Sequence, residues 1–316
     1  MRILLSSVFV AIVFPIGASA QLKDADAAAI TRGVAYLVKE VPKSNNGDAT
    51  RALLVASAKG YDIGTSLDDT LAFLKQPVTW DQNKAPGGFD DKALARVQFA
   101  SALAVAERLG KAASTDLQAA AKLLVADQKL DGSWTLDQSQ SIGSPATYGP
   151  IIATWSVRST LIASGIQPDN FSVVQADRWI RGLAPENVLD AASTVLALDL
   201  ASDVMAENLR RTCLGILREG QSADTGGWGP SVTAAPQVFD TAMAILALGS
   251  LEVEPRLARS GYTALELKNA IAAGKKYLVA EQKPDGSWPE TTRPANQESY
   301  AQRISTTGWA LLALLQ

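Results

Sequence analysis

The 316-residue chain has no histidine, a single cysteine and three methionines. Without histidine there can be no Ser-His-Asp or Cys-His catalysis and none of the usual Cys/His zinc sites. Cys213 has no internal partner for a disulfide, and its position after Arg211-Thr212 in an apolar helical pattern favours packing over a reactive thiol. No basic cluster is present and the formal net charge is −3, which argues against nucleic acid as a partner. Alternating strand-like stretches are scarce as well. Any chemistry is left to carboxylates, hydroxyls, aromatic rings, lysine and arginine.

The first twenty residues read as a secretory signal. Arg2 is followed by an apolar run from Ile3 to Ile16, and Ala18-Ser19-Ala20 offers small residues for cleavage before Gln21. The expected mature chain, 21–316, is a single domain in a secreted or periplasmic setting. An uncleaved leader would instead hold it at a membrane surface.

What the chain does contain is repetition. Leu123-Leu124-Val125-Ala126-Asp127-Gln128-Lys129-Leu130-Asp131-Gly132-Ser133-Trp134 returns as Tyr277-Leu278-Val279-Ala280-Glu281-Gln282-Lys283-Pro284-Asp285-Gly286-Ser287-Trp288, with Gln, Lys, Asp, Gly, Ser and Trp at the same offsets. A residue present in every copy is architectural before it is functional. Apolar residues recur at helical spacing after Ala25, and turn signals break the pattern at Asn45-Asn46-Gly47-Asp48, Pro86-Gly87-Gly88, Asp131-Gly132-Ser133, Gly182-Leu183-Ala184-Pro185, Gly226-Gly227 and Asp285-Gly286-Ser287. Each of the six units has a charged first helix, a Gly-rich turn often ending in Phe89, Trp134, Trp228 or Trp288, and a more apolar second helix. A helix that is apolar nearly all round must be buried on several faces, whereas a charged one can face water. Two concentric helical rings follow: an all-α fold, an α/α toroid of about six hairpins.

The Gln then Gly-x-Trp pattern, strong at Gln128/Gly132/Trp134 and Gln282/Gly286/Trp288 and looser at Gln221 with Gly226-Gly227-Trp228, resembles the repeats of the squalene/oxidosqualene (terpene) cyclase and protein prenyltransferase superfamily. The resemblance implies a toroid around a central cavity suited to a hydrophobic ligand, isoprenoids among them. It does not carry over every activity. The prenyltransferase zinc needs a histidine, and the thioester motif Gly-Cys-Gly-Glu-Gln is replaced by Arg211-Thr212-Cys213-Leu214-Gly215. The cyclases' protonating Asp precedes Asp-Thr-Ala by one place, where Gln237-Val238-Phe239-Asp240-Thr241-Ala242 has Phe239. Leu67-Asp68-Asp69-Thr70 looks closer to the motif but opens a first helix, where Asp serves the helix N-terminus. Intact cyclases usually have two toroids, and this chain has room for one. No cofactor and no metal enter the reading.

Asp48, Asp190 and Asp240, aligned with Thr306, open apolar second helices, where capping accounts for an Asp. Inner-helix N-termini of a toroid also point to one end of its cavity, so the three carboxylates are candidates to converge on a mouth. Asp240 and Asp190 are the candidate acid–base pair. Tyr148, Trp155, Phe239, Trp309 and Asp48 are the candidate ligand contacts, since a π face stabilises a developing cation; core packing accounts equally for the rings. The long polar connection from Pro289 to Gln297 is placed to lie across the mouth. Three functions stay open: a non-catalytic hydrophobic-ligand binder, an active enzyme (an atypical terpene cyclase or isomerase, or a toroidal polysaccharide lyase), and an interaction scaffold.

Overall fold

The computed structural model describes residues 24–82, 92–135, 149–198, 201–252, 256–290 and 300–316. The leader, Phe89, Tyr148 and most of the 289–297 connection lie outside the described residues, so the readings placed on them stay as expectations. Helices alternate between two layers. The first half of the chain runs α1 (Asp24–Ser44), α2 (Gly47–Ala58), α3 (Asp68–Leu74), α4 (Lys92–Arg108), α5 (Ser114–Ala126) and α6 (Pro150–Ala163). The second half runs α7 (Phe171–Arg181), α8 (Val188–Leu198), α9 (Val204–Gly220), α10 (Val238–Gly249), the short α11 (Arg256–Ser260), α12 (Ala264–Glu281) and α13 (Tyr300–Leu314). No strand occurs among the described residues, and the one isolated bridge joins Gln221 and Trp228.

The inner helices pack in cyclic order, α2 on α4, α4 on α6, α6 on α8, α8 on α10, α10 on α13, and α13 back on α2. That closure makes the molecule a toroid. Helix α10 is buried at every residue, and α8 at every residue but Asp190, as the apolar runs of the second helices require. Outer helix α9 instead buries one stripe, Ala206, Arg210, Cys213, Leu214, Leu217 and Gly220, and turns its other faces to water. The two layers expected from the sequence are therefore observed.

Three aromatic turns rivet the layers together. In each, a Gln amide nitrogen donates to the carbonyl of its own turn glycine and to a carbonyl of the next long outer helix: Gln128 to Gly132 and Ser172, Gln221 to Gly226 and Ala270, Gln282 to Gly286 and Ala29. The last of these ties α12 to α1 and so closes the outer ring. Ser172 is at the start of its helix, whereas Ala29 and Ala270 lie more than a turn inside theirs. The Gln contacts are thus not confined to helix ends. Each Trp is fully or almost fully buried; its indole N–H donates to the preceding helix, at Leu124, Leu217 and Leu278. Its backbone N–H donates to a threonine hydroxyl on an inner helix, Thr154, Thr241 and Thr307. This shared role puts Asp240 and Thr306 at one repeat position, as aligned, and adds Ala153 of α6.

The turn chemistry is repeated atom for atom. Ser133 and Ser287 bond Asp131 and Asp285 through both backbone and hydroxyl, and these bonds hold the two carboxyls below their usual range. Gly132, Gly226 and Gly286 have φ of +96°, +80° and +91°, and a Cβ on any of them would overlap the backbone of the next outer helix. Only glycine meets both conditions.

Candidate functional site

None of the three first-turn aspartates is a helix cap. The α2 cap is Asn46, whose side chain accepts from Ala49 N–H at 3.0 Å. Asn187 plays the same part for α8, accepting from Asp190 N–H at 2.8 Å, and the α10 N-cap Gln237 makes no side-chain capping bond. Capping, the ordinary reason for these residues, therefore gives way to three separate environments.

Asp48 is buried on the inner wall. Its Oδ2 accepts from Gln98 Nε2 on α4 at 2.7 Å and from Ser305 Oγ on α13 at 2.6 Å, so it bridges the two neighbours of α2 in the ring. The helices come close enough because Gly47 meets the Gln98 backbone and Gly308 meets the Asp48–Ala49 backbone, each where a Cβ would intrude. Burial pushes the Asp48 carboxyl above its usual range, opposed by the Arg51 charge, the Ser305 hydroxyl and the Trp309 indole. One turn on, the Arg51 guanidinium lies 4.2 Å from the centroid of the Trp309 ring. Phe239 of α10 meets Trp309 edge-on, with centroids 5.9 Å apart. A continuous wall, Phe239, Trp309, Arg51, Asp48 and Gln98, thus spans four consecutive inner helices.

Three of the residues singled out in the sequence, Asp48, Phe239 and Trp309, meet in this wall. Trp155 is buried on α6, the helix next to α4 in the ring, and no ring contact among the described residues joins it to Trp309 or Phe239. Asp190 and Asp240 are elsewhere. Asp190 is half-buried and accepts from Asn187 Nδ2 at 2.6 Å. It also adds to the rise of the Cys213 thiol, which burial pushes up to about 12, so its charge is beside outer helix α9. Asp240 is fully buried and contributes, after burial and Glu281, to raising the Tyr277 phenol of α12 to about 12. No hydrogen bond among the described residues joins any two of the three aspartates. Asp68 and Asp69 are exposed on the short outer helix α3.

Sequence reasoning missed Arg51, Gln98 and Ser305. The available signal was Arg51 itself, the one charged residue in the run from Ala49 to Ala58. Arg51 is 8 % exposed, and its Nε and Nη2, together with Gln98 Oε1, are buried without a hydrogen-bond partner. The wall therefore combines aromatic faces, a carboxyl biased towards its neutral form and an unsatisfied cation.

The solved structures that this chain resembles in fold include those of a type II terpene cyclase. The chain has the terpene cyclase fold. It aligns with MstE from Scytonema in the ligand-free state at a TM-score of 0.55 and 16% identity, covering 93% of this chain and 98% of the other. The same enzyme in complex with geranylgeranyl dihydroxybenzoate, its substrate, gives 0.58 and 16%, with 92% and 97% covered. A protein from Actinoplanes gives 0.57 and 18%, with 92% and 98% covered. Neither a family model nor a curated protein matches the sequence. At these identities the likeness is one of fold.

Proposed function

We propose that this chain is an exported terpene cyclase-like toroid that binds a hydrophobic, isoprenoid-class ligand against its inner wall, without the protonating Asp of the cyclase motif. The observation that carries the reading is the wall itself. Phe239 and Trp309 offer adjoining aromatic faces, and they adjoin polar groups that a plain core would not retain. The Scytonema enzyme of the same fold takes a geranylgeranyl substrate, which supports an isoprenoid tail. Extraction of the mature protein, made with its leader and collected outside the cytoplasm, followed by lipid mass spectrometry, tests this. A stoichiometric prenyl lipid in the wild type, lost on Trp309→Ala, is the expected outcome. Lipid-free protein whose melting temperature is unmoved by geranylgeraniol would overturn it.

A second reading has its own support. Asp48 is a buried carboxyl close to the Trp309 indole, and burial raises its pKa so that it can hold a proton to deliver, on a helix other than the one the motif would use. In that case incubation with geranylgeranyl substrates yields isomers of unchanged mass with fewer double bonds, and Asp48→Asn abolishes them. Recovery of unaltered substrate alone leaves the binding function as the better account.

A further inference from the structure

A guanidinium stays charged at any pH the fold survives, and burying its N–H groups without hydrogen-bond partners is costly. Arg51 is in that position. No ion pair among the described residues involves it, and Asp48, one turn away, directs its Oδ2 to Gln98 and Ser305 instead. Trp309 covers a face of the guanidinium, and a stacked guanidinium keeps its in-plane N–H groups available. The two nitrogens left unpartnered, Nε and Nη2, share one edge of the fork. That edge presents two parallel donors matched to two oxygens of one carboxylate or phosphate.

We infer that the Nε/Nη2 edge of Arg51 receives an oxyanion, a carboxylate or phosphate, at the head of the ligand, with Trp309 and Phe239 holding the start of its apolar tail. The inference rests on the ligand-binding reading above and narrows it to an anionic amphiphile. Two further features agree with it. Burial raises the Asp48 pKa against the pull of the Arg51 charge, which weakens the competition of its carboxyl for that edge. Burial and then the Arg51 charge also depress the pKa of Arg108, which places a second guanidinium in the same neighbourhood.

The test compares geranylgeranoic acid, geranylgeranyl monophosphate and geranylgeraniol by calorimetry on the full mature chain. The tail is constant and only the head changes. Charge-assisted hydrogen bonds predict that at least one anion binds roughly 10- to 100-fold more tightly than the alcohol. The stronger of the two identifies the head as carboxylate or phosphate. Arg51→Gln is expected to bring the anions down to the affinity that the same variant shows for the alcohol, and Arg51→Lys to keep part of the preference. Equal wild-type affinity for all three, or a preference that survives Arg51→Gln, would overturn the inference and leave hydrophobic binding intact. Binding of none of the three would overturn both. Because the wild-type comparison uses no variant, a misfolded Arg51 substitution cannot hide the answer.

Discussion

The aromatic turns and the Asp48–Arg51 wall are both buried, both built around tryptophan, and opposite in how they treat polar groups. In the turns, each Trp indole, Trp backbone N–H and Gln amide nitrogen has its partner, and the pattern recurs in three copies. In the wall, Arg51 keeps a two-donor edge and Gln98 an acceptor with nothing to bond. A fold under pressure only to be stable satisfies its buried polar atoms or replaces them with apolar ones. The turns meet that condition and are architecture. The wall departs from it at atoms of Asp48, Arg51 and Gln98, which is where a ligand is expected.

The contrast can be broken most forcefully at the turns. Trp288→Ala removes a fully buried ring from the junction that closes the outer circle, and a loss of about 3–5 kcal/mol in denaturant unfolding is expected. A loss under ~1 kcal/mol would mean that the turns do not carry the fold. A smaller effect tests the equivalence of the copies. Thr241→Val and Thr307→Val each strand one Trp backbone N–H, and each is expected to cost about 1–3 kcal/mol, with the two values agreeing.

The smallest effect belongs to the wall and has the opposite sign. Asp48 has its folded-state pKa raised by burial, so the native state holds that proton more tightly than the unfolded chain does. Its contribution is fully present below the unfolded value near 3.8 and is lost as pH rises through the raised folded value. Asp48→Asn removes the penalty of ionisation. The variant is expected to melt about 2–4 °C above wild type at pH 7, the shift of ~1 kcal/mol for a domain of this size. The gap should close as the pH falls below 4. A variant less stable than wild type at pH 7 would make Asp48 part of the architecture after all.

Much of the fold was legible because its signals are short. The Gln–Asp–Gly–Ser–Trp string, the charged first helices and the apolar second helices each lie within a window of one or two helical turns, and all three appear where the sequence placed them. The site was legible only in part. Asp48, Phe239 and Trp309 carried residue-type signals and do meet. Asp190 and Asp240 carried the same signal as Asp48 but stand beside Asn187 and Tyr277, because the direction of a first-turn side chain depends on how far its helix is rotated in the ring. Arg51 offered a signal that was passed over among twenty-nine basic residues.

The sequence alone determined the hairpin unit, its repetition and which helix of each pair is hidden, since hydrophobic periodicity and turn chemistry act between near neighbours along the chain. Only the tertiary structure decided that Asp48 meets Gln98 fifty residues away and Ser305 at a separation of 257, and that Arg51 ends against Trp309 with an edge unsatisfied. Those meetings depend on the closure of the ring, where the rotations of all six hairpins accumulate, and no local stretch of sequence fixes that sum.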